Sequence, residues 1–247
     1  MRELILQIAY GGLGDNLFYS HIPRIAKETC SYDRVFISNY SEFRNPDIKK
    51  LVWDMNPHVD GFVDEEGVSV NVDTSLPLGG NLLDEVMVGC GMDDGRLCHE
   101  PEVYYRPKFI EEYALAIYDP NYISNDGKLS THAVARYFVQ NGITLDASMK
   151  KITPTPIVIP EKLFAGHCIT TPSLFDLCDL LHSCKAFYCL VSGSATLAAA
   201  LGKHATVLVG NSVGKIFLHS TLHRYVQFSR ATLAQKIIDS IYLKYKI

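Results

Sequence analysis

The sequence has no excess of basic residues, no metal-ligand spacing among its cysteines and no apolar run long enough to cross a bilayer. Each absence removes a class of function. With 23 Lys and Arg against 27 Asp and Glu the net charge is −4, so the cationic surface that neutralises a nucleic-acid backbone is missing. The seven cysteines (Cys30, Cys90, Cys98, Cys168, Cys178, Cys184 and Cys189) form no CxxC pair, and several lie inside apolar patterns where a free thiol acts as a small hydrophobe. The nine histidines contain no HExxH pair. A reduced, cytoplasmic chain with no bound metal and no cofactor is expected. The longest apolar run, Ala186 to Gly202, is broken by Ser192, Gly193, Ser194 and Thr196 and does not make a membrane span of about 20 residues. The opening stretch, MRELILQIAYGG, reads as too short and too mixed for an export signal.

What is present is an alternation of strand-like and helix-like segments in a chain of 247 residues, 47% of them apolar, enough for one large core or two smaller ones. Glu3 to Ala9 is a β-rich run ending in glycines, and Leu17, Phe18, Ile22, Ile25 and Ala26 mark one face of a following helix. Arg34 to Ser38 is a second strand; Ile48, Leu51, Val52 and Met55 form a second helical stripe closed by Asn56 and Pro57. From Gly67 to Pro107 turn residues dominate, which predicts loops and a crossover between domains. Tyr113 to Tyr118 then reads as a strand, Ala133, Val134, Tyr137 and Phe138 as a helix stopped by Gly142, and Ile157-Val158-Ile159 as a short strand among prolines. Ser173 opens a helix with Asp176 three residues on, a capping-box pattern, and Leu174, Leu177, Leu180, Leu181 and Cys184 line its buried face. A strand from Ala186 to Val191, a Ser-Gly-Ser turn, a small-residue helix stopped by Gly202 and a strand from Ala205 to Gly210 complete the run. The pattern predicts an α/β chain of two doubly wound halves, with ligands at the carboxyl ends of the strands, in the cleft between the halves.

The richest stretch is AYGGLGDNLFYSHIP, Ala9 to Pro23. A dinucleotide fingerprint needs a third glycine where Leu17 stands and an acidic residue where the second strand offers Asn39. A phosphate loop needs Gly-Lys-Ser/Thr where Gly14-Asp15-Asn16 stands. The residues support a glycine turn (Gly11, Gly12, Gly14) that brings backbone close to a ligand. Asp15 then opens a helix, either as an N-cap or as a positioned carboxylate. His21 on the same helix reads as a partly buried polar side chain within reach of that turn.

GGLGDNLFYSHIPRIA resembles the N-terminal signature of the heptosyltransferase-like glycosyltransferases (glycosyltransferase family 9): a glycine turn, Gly-Asp, a hydrophobic residue and a proline eight residues past the aspartate, here Asp15, Leu17 and Pro23. Asn56 to Asp64 is similar to the segment leading into that family's third strand. Ser173 to Gly210 resembles its C-terminal donor motif, and Asn125 to Phe138 its lysine loop, with Lys128 as the counterpart. The chain departs where the family has Asp-Ser/Thr-Gly and then His: Val191-Ser192-Gly193 and Thr196 stand there. It is also shorter than a typical member, which together implies a divergent donor or acceptor.

The resemblance implies a GT-B fold of two facing Rossmann-like domains, residues 1–107 for the acceptor and 108–247 for the donor. The C-terminal IIDSIYLKYKI would be a last helix packed across both, or a contact with an anionic membrane surface. It implies inverting, metal-independent transfer of a sugar from a nucleoside-diphosphate donor to a hydroxyl of a glycan or lipid-linked acceptor. The setting is synthesis of a bacterial surface glycan (lipopolysaccharide, lipooligosaccharide or capsule), in the cytoplasm and at the inner membrane. Asp15 is then the general base, kept ionised by the positive end of its helix and so a modest base. Ser192, Gly193, Ser194, Ala195 and Thr196 bind the donor, the free N–H groups of the last three holding the departing diphosphate, with Lys128 adding charge. The rivals are an epimerase or hydrolase of nucleotide sugars on the same architecture and a non-catalytic nucleotide-sugar-binding subunit.

Overall fold

The computed structural model describes residues 1–70, 80–122, 129–152, 164–211, 213–214, 217–228 and 237. Its strands pair parallel in two sheets. The first holds β1 (Glu3–Leu6), β2 (Arg34–Ser38) and β3 (Gly61–Val63) in that order, with Leu4 opposite Val35 and Phe36 opposite Gly61. Val35, Phe36, Ile37 and Ser38 are all buried, the unbroken run expected of a parallel strand covered on both faces.

The helix expected over Leu17 to Ala26 is two helices, α1 (Leu13–Leu17) and α2 (Ile22–Glu28). Pro23 has no N–H to give Tyr19, so it belongs in the first turn of a new helix rather than inside a continuous one. The second stripe forms α3 (Pro46–Ile48), which runs into a π-helical turn over Lys49–Asp54; Leu51, Val52 and Trp53 are buried and Met55 is exposed. The stretch expected to be loops contains α4 (Leu82–Gly89), opened by Asn81, whose side chain accepts from Leu83 and Asp84 N–H while Asp84 accepts from Asn81 N–H.

The second sheet holds β4 (Ala116–Asp119), β5 (Leu145–Met149), β6 (Phe164–Ile169), β7 (Ala186–Leu190), β8 (Thr206–Gly210) and β9 (Arg224–Phe228). Its order is β6-β5-β4-β7-β8-β9, so the chain steps outward from β4 to one edge and then returns to β4's other side. That is the doubly wound order, and its switch point lies between β4 and β7, where such sheets bind ligands beyond the strand carboxyl ends. The helices are α5 (Thr131–Gln140), α6 (Leu174–Ser183) and α7 (Gly193–Ala200). Gly142 and Gly202 stop α5 and α7 with φ of +61° and +67°; beyond them Ile143 N–H donates to Phe138 C=O and Lys203 N–H to Ala198 C=O. The capping box predicted for Ser173 and Asp176 is present, and α6 buries Leu177, Leu180 and Leu181.

The predicted strand over Tyr113 to Tyr118 begins later, at Ala116, after a 3₁₀ turn over Glu111–Tyr113. The predicted strand at Ile157 to Ile159 and the C-terminal helix lie outside the described residues. One cluster of buried apolar side chains runs through both sheets, from Leu4 and Ile37 to Leu177, Leu197 and Val207. The connecting strap is tied to both: Glu102 N–H donates to Ser20 Oγ, and Lys108 N–H to Asp179 of α6. Among the described residues no helix is long and apolar enough to cross a membrane.

Candidate active site

Beyond β1 the chain turns through the three glycines; at Gly11 and Gly12 a side chain would meet a close protein contact, and at Gly14 it would only touch its neighbours. Gly11 C=O accepts Arg44 N–H, and a Cβ there would lie 2.9 Å from that nitrogen. A Cβ on Gly12 would lie 2.5 Å from Asp15 Oδ2. A Cβ on Gly14 would lie 3.5 Å from Cα of Gly193, the first residue of α7. The turn therefore brings backbone close to backbone, and at Gly14 it does so across the two sheets.

Asp15 is not the N-cap of α1. It sits in the first turn and reaches back, its Oδ2 accepting Gly12 N–H at 3.1 Å. Next to it Asn16 is fully buried: its Nδ2 donates to Gly12 C=O, and its Oδ1 accepts Trp53 Nε1–H at 2.7 Å. A buried indole thus locks the glycine turn. Burial pushes the Asp15 carboxyl above the ordinary aspartate range; the Gly12 N–H and the Arg44 charge pull the other way without cancelling it. The helix-start field expected to keep Asp15 a modest base is outweighed, and the group becomes a stronger one. His21 is fully buried and stacks on His99 with ring centroids 5.3 Å apart, away from any role as a partly exposed contact.

Across the seam, Ser192 precedes α7 without capping it: its Oγ lies 3.2 Å from Leu190 C=O and 2.8 Å from Ser194 Oγ. Thr196 N–H is not free, since it closes the first helical bond to Ser192 C=O. The N–H groups without an acceptor among the described residues are those of Gly193, Ser194 and Ala195, one residue earlier than expected. Lys128 lies outside the described residues.

Two residues of this site were not foreseen. Asp119 ends β4 at the switch point, 3% exposed, and its carboxylate accepts Ser194 Oγ–H at 2.5 Å, Asn121 N–H at 2.9 Å and Asn121 Nδ2–H at 2.8 Å. Burial pushes its pKa up, against the bonds from Ser194 and Asn121. His219, from the segment between β8 and β9, lines a narrow crevice beside Ala195 and Thr196. Its ring lies 4.6 Å from that of Phe18, its Nδ1 is 3.4 Å from Thr196 Oγ1, and its Nε2 has no partner among the described residues. Burial pushes His219 down to about 3, so the ring is neutral at physiological pH. His223, four residues on, is committed, its Nε2 donating to Ala195 C=O at 2.8 Å. Among the described residues no group of three or more His, Cys, Asp or Glu side chains is placed to hold a metal ion.

Two parallel α/β sheets that meet where a glycine turn touches a helix N-terminus give the chain a GT-B-type glycosyltransferase fold. Solved family-9 glycosyltransferases share it. The glycosyl transferase family 9 protein of Veillonella parvula DSM 2008 aligns with a TM-score of 0.62 at 11% identity, over 100% of this chain and 90% of that one. E. coli ADP-heptose LPS heptosyltransferase II gives 0.57 at 12% identity over 100% of both chains. The iron-containing dodecameric glycosyltransferase TibC of enterotoxigenic E. coli H10407 gives 0.57 at 17% identity, over 90% of this chain and 62% of its own. TibC has also been solved with ADP-D-β-D-heptose. No protein-family model and no curated protein matches the sequence.

Proposed function

We propose that this chain is an inverting glycosyltransferase that moves a sugar from a nucleoside-diphosphate donor to an acceptor hydroxyl in the synthesis of a bacterial surface glycan. Residues 1–107 form the acceptor lobe and 108–247 the donor lobe, and the enzyme works in the cytoplasm, reaching a lipid-linked acceptor at the inner membrane. The observation that carries this reading is the Gly14–Gly193 contact, which sets Asp15 and the open N–H groups of α7 on either side of one seam.

An acceptor hydroxyl is a weak nucleophile and must lose its proton as its oxygen bonds to the anomeric carbon. Asp15 takes that proton, its basicity raised by burial. The bond from the anomeric carbon to the diphosphate breaks on the opposite face, and the departing charge is held by the N–H groups of Gly193, Ser194 and Ala195 and by Lys128. No step in this scheme calls on a metal; iron is a property of TibC by its description. Heptosyltransferase II and TibC are described with ADP-heptose, which makes an adenosine-diphosphate sugar the first donor to try.

Thr196 in place of the expected histidine favours one second reading, a subunit that binds a nucleotide sugar without turning it over. Sugar-nucleotide consumption with and without acceptor separates the possibilities. Acceptor-dependent loss of donor supports transfer, loss without acceptor supports an epimerase or hydrolase, and stabilisation by ADP without turnover supports the binding subunit.

A further inference from the structure

Asp119 is a carboxylate buried at the switch point, and no charged group among the described residues pairs with it. Its titratable neighbours are the Tyr118 hydroxyl beside it in β4 and the Cys189 thiol opposite it in β7, both neutral because burial raises them far above their ordinary values. Its other contacts are Asn121 and the Ser194 hydroxyl. Ser194 is also a residue whose N–H faces outward from the first turn of α7, so the carboxylate stands one hydroxyl away from the place assigned to the donor's diphosphate. A second observation marks that turn as a ligand site: His219, 6% exposed, lies against it with Nε2 unpartnered among the described residues. When Thr196 Oγ1 donates to Ser192 C=O and His219 Nδ1–H donates to Thr196 Oγ1, Nε2 of His219 is a bare acceptor suited to a sugar hydroxyl.

We infer that Asp119 sets the affinity for the donor: its charge and that of the diphosphate compete for the first turn of α7, so diphosphate binding favours uptake of a proton from solvent by the Asp119 carboxylate. This rests on the donor site proposed above. Two anions this close in a partly dry site oppose each other by about tenfold or more in an equilibrium constant. Binding raises the proton affinity of Asp119, so donor affinity is greatest at low pH and declines as pH rises through the pKa of the bound state. After transfer, the same repulsion speeds departure of the nucleotide.

The test is ADP binding to the full chain and to Asp119→Asn, by calorimetry in buffers of different ionisation enthalpy, from about pH 5.5 to 8.5. Asparagine keeps an acceptor for Ser194 and removes the charge; ADP's own phosphate ionisation is common to both proteins and cancels in their ratio. The expected result is greater proton uptake on binding by the native chain than by the variant, and at least about tenfold tighter ADP binding by the variant at the high-pH end. Equal proton uptake with no gain in affinity makes Asp119 structural and overturns the inference. Should the variant not fold, proton uptake by the native chain beyond that of Ser194→Ala supports the same conclusion, and equal uptake overturns it. Failure of the native chain to bind ADP or UDP at any pH removes the donor site itself, whereas pH-independent binding removes only the role of Asp119.

Discussion

A Cβ placed on Gly193 would lie 3.0 Å from the backbone nitrogen of Gly14 and 3.1 Å from Leu13 Cβ, so the tip of α7 and the turn before Asp15 meet too closely for a side chain unless one of them shifts. The neighbours are backbone and a helix start, which yield little. Gly193→Ala is therefore expected to cost about 1–3 kcal/mol of stability and to open the seam. Denaturant unfolding with a parallel activity assay checks both; unchanged values in each would mean the seam relaxes freely.

Asp15 acts only when deprotonated, so transfer should fall as pH drops through its raised pKa. Arg44 is among the influences that lower that pKa. Arg44→Met is expected to move the acid limb of the kcat/KM profile to higher pH. A limb that stays in place would remove Asp15 as its source.

His21 and His219 are buried and lowered from 6.5 to about 3. Depressed folded-state values mean that the unfolded chain binds the extra protons, so this stabilising contribution is complete above pH 6.5 and is lost as pH falls toward about 3. The acid-side slope of stability against pH should become shallower in His21→Gln by the share of one proton. Equal slopes in native and variant chains would contradict the assignment.

Asn16 joins the turn to the core through Gly12 and Trp53. Asn16→Ala leaves the buried indole N–H and the Gly12 carbonyl unpaired, and should destabilise by about 1–3 kcal/mol in an unfolding titration.

The parts of the fold that were legible in the sequence are those written locally. The Asp15 turn, the Ser173 cap, and the run from β7 through α7 to β8 each carry their own periodicity, cap or stop. The strands β6 (FAGHCI) and β9 (RYVQF) do not, because mixed polar and apolar residues become strands only through pairing with distant partners, whereas β5 (LDASM) alternates apolar and polar residues over a stretch too short to stand out. α4 was hidden by the glycines on both sides of its apolar run, and Pro23 was legible as a helix start that the apolar stripe overrode. In the site, residue identities pointed to Asp15 and to the tip of α7, whereas burial reversed the expected weakness of Asp15 as a base. Asp119 carries no local pattern at all; its role arises from β4 lying beside β7. Reading the nine histidines as scattered passed over the HSTLH spacing of His219 and His223. That spacing lies outside any described helix, however, and the two rings turn to different partners.

The most direct test of the account is single-turnover transfer by Asp15→Asn beside its donor dissociation constant. Removal of a general base should slow transfer by at least about a hundredfold while donor affinity stays within about twofold, because the donor is held across the seam by α7. Transfer that persists, or that declines only in step with donor binding, would contradict it.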